Sequence, residues 1–311
     1  MQSGNSSRGA AAGPAAASTE GRVVAAYGQR LLVEDDEGQR YPAFVARRGL
    51  RVVCGDRVRW LAGDAGDRAV VEQLPRSSEL RRPDSRGRSE VLAANITQLV
   101  VVLAPSPAPD PFIIDRYLAA AEVMGAAAAI VANKADLPTA LPAGLLEEYE
   151  SLGYPVLRVS AATGTGLDAL ALLLREQRSL LAGQSGVGKS SLLNALVPGI
   201  EAATAGISAA TGEGRHRTTA TTLHRLSCGG ELLDSPGVRD FAPALDDPRL
   251  AATGFREIVT AARECRFANC RHMKEPGCAV KAGVEAGRIS ARRYESYRRL
   301  LRLTEDLQRR G

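Results

Sequence analysis

The fold is decided by residues 180–191, which read LLAGQSGVGKSS. The stretch satisfies G-x-x-x-x-G-K-[ST], in which glycines let backbone N–H groups close around phosphate oxygens. A strand pattern precedes it and a helical pattern follows, so the phosphates would also face a helix N-terminus. Lys189 would reach the β- and γ-phosphates, and Ser190 would coordinate Mg²⁺. The predicted phosphate-binding residues are Gly183, Gln184, Ser185, Gly186, Val187, Gly188, Lys189, Ser190 and Ser191, and Lys189 is also a predicted catalytic residue.

Residues 130–137, IVANKADL, predict which base is bound. Asp136 can accept two hydrogen bonds from guanine N1–H and the 2-amino group, a donor pair that adenine lacks. Asn133 would tie this loop to the phosphate loop, and Lys134 would pack its stem along the base. Ser160 and Ala161 end the next strand and fit a backbone N–H contact to the guanine carbonyl. The predicted base-binding residues are Asn133, Lys134, Ala135, Asp136, Ser160 and Ala161.

Two further elements follow the phosphate loop. Asp234 and Gly237 fit the D-x-x-G pattern, in which the aspartate reaches Mg²⁺ through water and the glycine N–H contacts the γ-phosphate. The segment 206–222, GISAATGEGRHRTTATT, is rich in Gly and Thr and is typical of a mobile switch. Thr218 and Thr219 are the alternatives for a switch ligand of Mg²⁺.

The residue that orients the attacking water does not occupy its usual position. Many GTPases place Gln directly after D-x-x-G, and this chain has Val238 there. His216 is the candidate catalytic residue instead, and an exposed loop histidine is the alternative. His224, in an apparent strand, is expected to be structural.

The order of these elements is base, base, phosphate, switch, switch, whereas the phosphate loop usually comes first. The termini of a compact domain usually lie close together, so a sheet can be re-cut elsewhere without losing its packing. We therefore predict a circularly permuted α/β P-loop GTPase. The helical segment 166–177, GLDALALLLREQ, would bridge into the phosphate-loop strand.

A cysteine cluster follows the nucleotide motifs. The segment 265–278, CRFANCRHMKEPGC, offers three thiolates and one imidazole, a closed tetrahedral set for one structural Zn²⁺. Its spacing departs from paired C-x-x-C, so a redox cluster or free thiols are the alternatives. The predicted zinc ligands are Cys265, Cys270, His272 and Cys278. Cys54 and Cys228 are expected to be buried small apolar residues.

The rest of the chain predicts two flanking modules. Residues 21–75 contain five short apolar runs, typical of a small β-barrel, either an OB-fold or an SH3-like barrel. The Arg-rich residues 76–88 are interpreted as a linker. The formal net charge is +5, and both 76–88 and 263–311 are basic, which fits either a phosphate backbone or a solvated surface. No apolar run reaches 18 residues, so we expect no membrane span.

The chain contains, in order, the motifs NKAD, SA, GQSGVGKSS, GRHRTT and DSPG, followed by Cys-x4-Cys-x-His-x5-Cys. This ordered set resembles the ribosome small-subunit-dependent GTPase A family of YjeQ type. The resemblance runs from about residue 21 to 305. It implies an OB domain, a central GTPase, a zinc domain, and a late role in assembly of the 30S ribosomal subunit through 16S rRNA. It also implies that His216 aids catalysis. Arg217 replaces the first of three threonines usual in the family, so the switch threonine stays open.

We therefore expect a monomeric, cytoplasmic GTP hydrolase with GTP as substrate, Mg²⁺ and one Zn²⁺ as metals, and the 30S subunit and its 16S rRNA as partners. The alternatives are a GTP-regulated rRNA-binding module or RNA chaperone with incidental hydrolysis, and a translational GTPase on elongating ribosomes. The predicted domains are a disordered tail 1–20, an OB-fold RNA-binding domain 21–80, a GTPase domain 90–245 and a zinc-binding helical domain 249–311.

Overall fold

A computed structural model describes residues 18–62, 68–83, 89–197, 199, 221–235, 245 and 247–310. The predicted tail lies outside the described residues up to residue 17, and residues 18–20 belong to the first strand instead. Among the described helices, none combines the length and apolar character needed to span a bilayer.

The N-terminal module is a closed five-stranded barrel. Its strands are β1 (Ser18–Tyr27), β2 (Arg30–Asp35), β3 (Arg40–Val45), β4 (Arg57–Ala62) and β5 (Arg68–Gln73). They pair in the order β1-β2-β3-β5-β4, with β4 returning to β1 and β3 parallel to β5. This is the OB-fold order, which excludes the SH3-like alternative. Trp60 fills the barrel against Gly21, where an added Cβ would lie 2.4 Å from the indole.

The linker prediction is wrong for residues 79–83. They form β6 (Glu79–Pro83), which pairs antiparallel with β7 (Ser89–Ala94). The hairpin is anchored to the barrel, because Arg76 Nε donates to the fully buried Asp56 at 2.6 Å and Asn95 Nδ2 donates to the Gly55 carbonyl at 2.9 Å. The Arg-rich stretch is therefore partly structural, although residues 84–88 lie outside the described residues.

The central module is a sheet covered by helices. Its strands are β8 (Gln98–Leu103), β9 (Ala127–Ala132), β10 (Val156–Arg158), β11 (Arg178–Ala182), β12 (Thr221–Arg225) and β13 (Glu231–Asp234). Its helices are α1 (Pro111–Met124), α2 (Leu145–Ser151), α3 (Leu167–Leu174) and α4 (Lys189–Leu196). The strand order is β10-β9-β8-β11-β13-β12, and only β12 runs antiparallel to its neighbour β13.

Both faces of this sheet are buried, as the continuous apolar run of β8 predicts. Leu99, Val101 and Leu103 enter one apolar cluster, whereas Val100 and Val102 enter the other. The strands alternate in the chain with helices, so their carboxyl ends meet at one edge. That edge carries the loops that the sequence assigned to the nucleotide.

The barrel and the central sheet form a continuous ladder. β1 pairs antiparallel with β12 through Ala25–Thr222 and Ala26–Thr221. Beside this junction, Glu34 of β2 is 1% exposed and accepts hydrogen bonds from three arginines. The arginines are Arg22 at 2.7 Å, Arg40 at 2.9 Å and Arg225 at 2.7 Å. Since Arg225 lies on β12, this carboxylate joins the barrel to the nucleotide domain.

The C-terminal module is helical and packs on α1. It contains a 3₁₀ helix (Pro248–Gly254), α5 (Arg256–Ala262), α6 (Ala279–Glu285) and α7 (Ala291–Arg310). Its core includes Phe255 and Tyr297, whose rings meet edge-on at 5.9 Å. At Gly254 an added Cβ would lie 2.5 Å from the Ala119 Cβ, so the absence of a side chain lets the backbone approach α1 closely.

A buried ionic network fixes α7 to the nucleotide domain. Asp115 of α1 is fully buried and accepts from Arg293 Nη1 at 2.7 Å, Arg292 Nη1 at 2.8 Å and the Tyr149 hydroxyl at 2.8 Å. Arg293 is 1% exposed and also pairs with Glu257 at 2.7 Å. Because each buried charge has several partners, the C-terminal module is held in one orientation.

We predict that Glu34→Ala destabilises the protein by roughly 1.5–3 kcal/mol, because the hydrogen bonds that this buried carboxylate accepts from Arg22, Arg40 and Arg225 are lost. Burial alone would raise the pKa of Glu34, but the hydrogen bonds from its arginines lower it below the ordinary value of 4.5. The stabilisation is therefore present above that pH and lost as the pH falls below it. Urea unfolding across pH measures both effects.

The control is Glu72→Ala, which breaks an exposed pair with Arg59 and should lower the free energy of unfolding much less. An equal loss of stability in the two variants would contradict the role of Glu34.

Candidate nucleotide site and zinc centre

Four loops converge at the carboxyl edge of the central sheet. The phosphate loop follows β11, the loop with Asp136 follows β9, Ser160 follows β10, and Asp234 ends β13. Parallel pairing of β8 with β9 and with β11 places these ends side by side. Segments that are far apart in the chain therefore come to one pocket.

The phosphate loop has a backbone that only glycine fits. Gly183 has φ of 140°, and an added Cβ would lie 2.1 Å from the Val102 carbonyl oxygen. Gly188, with φ of 94°, caps α4 and would bring a Cβ within 2.3 Å of Asn133 Nδ2. The N-terminus of α4 thus opens directly into the loop, which is the geometry that binds phosphate.

Lys189 lies inside this loop, and the residue is only 9% exposed. Its Nζ donates to the carbonyls of Gly183 at 2.6 Å and Gln184 at 2.7 Å. Ser190, one residue on, is exposed at the start of α4. The ammonium and the hydroxyl are therefore presented on the same turn, as a phosphate–Mg²⁺ site requires.

Asn133 connects the base loop to two others. It is 2% exposed, its Nδ2 donates to the Val187 carbonyl at 3.0 Å, and its Oδ1 accepts from Ala161 N–H at 3.2 Å. Lys134, with φ of 60°, donates from Nζ to the carbonyls of Gly186 and Ser106, each at 2.7 Å. These bonds set the separation between the predicted base and phosphate regions.

Asp136 is held by a contact that sequence reasoning missed. The hydroxyl of the fully buried Ser160 donates to Asp136 Oδ1 and accepts from Thr163 N–H at 3.2 Å. Ser160 was assigned only a backbone role, yet its side chain orients the carboxylate. Ala135 adds a backbone bond from its N–H to the Val159 carbonyl at 3.0 Å.

The pocket also gains residues before α1. Pro107 contacts Gly186, where an added Cβ would lie 3.4 Å from Pro107 Cδ. Asp110 N–H donates to Gln184 Oε1 at 3.0 Å. No sequence motif marks this segment, and its proximity depends on the β8–β11 pairing.

The structure describes only some of the predicted switch residues. Asp234 ends β13 opposite Thr222, and Ser235 shares a hydrogen bond of 2.9 Å with Thr221. His224 is buried against Thr222 at 2.9 Å, and burial lowers its pKa, in agreement with a structural role. The remaining predicted residues, His216, Thr218, Thr219 and Gly237, lie outside the described residues.

The predicted zinc ligands meet at one point. Their ligand atoms lie within 4.8 Å of one another. His272 Nδ1 is 3.6 Å from Cys265 Sγ and 3.5 Å from Cys278 Sγ, and the two sulfurs are 4.0 Å apart. Tetrahedral Zn²⁺, with Zn–S of about 2.3 Å and Zn–N of about 2.0 Å, separates its ligands by roughly 3.5–3.8 Å. The four residues, which include Cys270, therefore fit Zn²⁺.

The surroundings of the cluster favour metal ligation. Burial lowers the pKa of His272, which keeps the imidazole neutral, as a ligand must be. Glu275 accepts backbone N–H bonds from Arg271, Met273 and Lys274 at 3.0, 2.8 and 3.0 Å. Although desolvation opposes them, these bonds lower the pKa of Glu275 to about 2. A carboxylate that stays charged thus fixes the backbone of residues 271–274, which includes the predicted ligand His272.

The other cysteines differ from expectation in one respect. Cys54 is fully buried, as predicted, and burial raises the pKa of its thiol to about 12. Cys228 is only partly buried, because it sits in the turn after β12 rather than in a strand. The expectation of a buried residue is wrong there.

Together, the strand order and the four loops define a circularly permuted P-loop GTPase that carries an OB barrel and a Cys₃His cluster. The RsgA GTPase family model matches residues 73–243. The chain belongs to the RsgA GTPase family and is a GTP hydrolase, which converts GTP to GDP and phosphate.

Curated relatives support the same family over most of the chain. A protein of Azotobacter vinelandii named small ribosomal subunit biogenesis GTPase RsgA is 44% identical over 290 residues, covering 90% of this chain and 84% of the relative. A protein of the same name from Pseudomonas aeruginosa is 43% identical over 288 residues, with the same coverage.

Solved structures agree in fold. YjeQ from Thermotoga maritima has a TM-score of 0.72 and 30% identity, covering 93% of this chain and 99% of that one. YloQ, described as a circularly permuted GTPase, has a TM-score of 0.71 at 24% identity, covering 93% and 96%, and supports the fold alone.

We predict that Asp136→Asn weakens GTP binding about 100-fold or more, because guanine loses a charged acceptor for its two N–H donors. The same change should improve binding of xanthosine triphosphate, whose 2-carbonyl can accept from the new amide. Fluorescence titration with the three nucleotides GTP, ATP and XTP measures the selectivity. Asp168→Asn, at an exposed position on α3, is the matched control. Unchanged GTP preference in Asp136→Asn would remove the base assignment.

We predict that the purified protein contains about one zinc per chain, and that Cys278→Ala loses it. Loss of the ion should also loosen residues 247–310, since structural zinc contributes directly to folding. Elemental analysis and hydrogen exchange measure the two effects. Cys228→Ala should retain its zinc. Zinc-free wild-type protein, or a zinc-loaded Cys278→Ala variant, would contradict the assignment.

Proposed function

We propose that the chain is a biogenesis GTPase of the small ribosomal subunit, binding the 30S particle in its GTP form and leaving after hydrolysis. The observation that carries this proposal is the identity of 44% over 90% of the chain to a relative with that name. The match extends beyond the GTPase domain into both flanking modules. We infer that the protein acts as a monomer in the cytoplasm, where 30S subunits mature.

The roles proposed for the pocket residues follow from its geometry. Asp136 reads guanine, with Ser160 holding its carboxylate, and the phosphate loop binds the phosphates through backbone N–H groups. Lys189 turns from the loop carbonyls to the β- and γ-oxygens when they arrive. It then neutralises charge that grows on these oxygens as the γ-phosphate leaves.

Ser190 and Asp234 provide hard oxygen donors at the same sheet edge, the donor type that Mg²⁺ prefers. When bound, Mg²⁺ supplies further neutralisation of phosphate charge. Thr218 or Thr219 is proposed to complete this side, together with the Gly237 N–H at the γ-phosphate. His216 is proposed to orient the attacking water, since Val238 has no polar group for that task.

The proposed RNA contact involves the barrel and its hairpin. A groove of about 1210 Å³ lies between the barrel loop 45–53 and the β6–β7 hairpin. Arginines line it from both sides: Arg47, Arg48, Arg51, Arg76 and Arg81. Glu90 also lines the groove, and Arg76 and Arg81 pair with Glu79. The positive charge offered to the phosphate backbone of 16S rRNA therefore comes mainly from Arg47, Arg48 and Arg51. We accordingly propose the barrel with its hairpin, from residue 18 to residue 94, as the RNA-binding domain, 95–245 as the GTPase and 249–311 as the zinc module.

We predict that 30S subunits accelerate GTP turnover at least tenfold, because partners that complete a GTPase site can raise rates by about 10³ or more. Phosphate release measured with 30S, 50S and 70S particles tests this, with 50S as the control. Lys189→Ala should abolish turnover and cellular function. Full function of Lys189→Ala would favour an RNA-binding module with incidental hydrolysis. Preferential co-sedimentation with 70S would favour a translational GTPase.

A further inference from the structure

Two arginines lie against one phenylalanine ring where α7 crosses α1. The Cζ of Arg116 lies 5.4 Å from the ring centroid of Phe112, and the Cζ of Arg299 lies 3.9 Å from the same centroid. Among the residues that the structure describes, neither guanidinium forms an ion pair, and Arg116 Nε is buried without an acceptor. One aromatic ring therefore carries two cations.

The neighbouring arginines of this interface show that the arrangement is unusual. Arg256 pairs with Glu122 at 2.7 Å, and Arg292 and Arg293 share Asp115. These three arginines are thus neutralised by carboxylates. Among the described residues no carboxylate pairs with Arg116 or Arg299, although cation–π contact with one ring is worth only about 0.5–1 kcal/mol at exposed sites.

The electrostatics around Arg116 favour an incoming anion. Burial and the positive charge of Arg299 lower the pKa of Arg116 to about 10, although Tyr117 and Asp110 act in the opposite direction. Arg299 is exposed and Arg116 is partly buried, so solvent reaches part of each side chain. An anion there would relieve the repulsion between the two guanidinium groups and gain charge-assisted hydrogen bonds.

We infer that Arg116, Phe112 and Arg299 form an anion clamp that binds a phosphate of an RNA backbone. The planar guanidinium matches phosphate oxygens better than a lysine does, and both arginines are held in place by the ring. The C-terminal region 263–311 carries 13 Lys or Arg against six Asp or Glu, which suits a polyanion rather than a carboxylate of a protein partner. The inference rests on the proposed function, because it supplies the RNA.

The test uses the full-length protein with a non-hydrolysable GTP analogue and purified 30S subunits. Arg116→Gln and Arg299→Gln keep the side chain length and remove the charge. Each should weaken 30S binding about threefold to tenfold and reduce the slope of log K against log salt by roughly 0.7–0.9. The double variant should show the sum of the two losses, both in 30S affinity and in salt slope. Arg309→Gln, which removes an exposed arginine of α7 paired with Asp306 at 3.6 Å, should change neither.

Thermal unfolding separates the clamp from a structural role. Removal of one charge relieves the repulsion, so Arg299→Gln should melt at the temperature of the wild type or above it. A marked loss of melting temperature with normal 30S affinity would show that the arginines only pack the interface, and would overturn the clamp.

Two further outcomes show whether the proposed function or only the clamp is wrong. If the wild-type protein does not bind 30S subunits, the proposed function fails, and the clamp fails with it. If the wild type binds and the double variant binds with equal affinity and salt slope, the clamp alone is overturned.

Calorimetry with inorganic phosphate distinguishes an RNA phosphate from a free anion as the ligand of the clamp. Phosphate binding that the double variant loses, with 30S affinity intact, would mean a free anion site and not an RNA contact.

Discussion

The carboxamide of Asn133 holds the nucleotide pocket together, because it contacts two loops that lie later in the chain. Its Nδ2 donates to Val187 in the phosphate loop, and its Oδ1 accepts from Ala161 after β10. The side chain is almost fully buried, so each of these bonds forms in a low-dielectric setting where an unpaired group would be costly. Neither aspartate nor leucine could replace it, since the site needs a donor and an acceptor on one short side chain.

In the permuted chain order, the two predicted switch segments are each followed by a segment that contacts an attached module. The strand β12, which follows the first switch segment, pairs with β1 of the barrel and shares Glu34 with it. The region after the second switch segment leads into the C-terminal module, where Leu245 is already buried against its core. Both modules are therefore attached to the nucleotide domain through a buried carboxylate, Glu34 on one side and Asp115 on the other.

The features that could be predicted from sequence are local in the chain. The phosphate loop, the N-K-x-D loop and the four predicted zinc ligands each occupy a short segment, and their residue types indicate the chemistry directly. The five barrel strands were also predictable from alternating apolar runs. The choice between OB and SH3-like barrels was not, because it depends on the parallel pairing of β3 with β5.

Long-range partners were the main features that sequence could not reveal. Glu34 and Arg225 are far apart in the chain, as are Asp115 and Arg293, and no spacing rule connects them. The strand β6 was missed because it is short, Arg-rich and ends in Pro83, a composition typical of a linker. The role of the Ser160 hydroxyl was hidden for a similar reason, since its partner Asp136 comes from a neighbouring strand.

The shared ladder between β1 and β12 has a practical consequence for work on separate fragments. A shortened protein that begins after the barrel would leave β12 as an uncovered sheet edge, with open N–H and C=O groups and with Arg225 deprived of its acceptor. Uncovered edges recruit other strands, so such a fragment would tend to self-associate through β12. Biochemistry on the isolated GTPase core would then report on an oligomer, and the barrel is better regarded as part of that core than as a removable attachment.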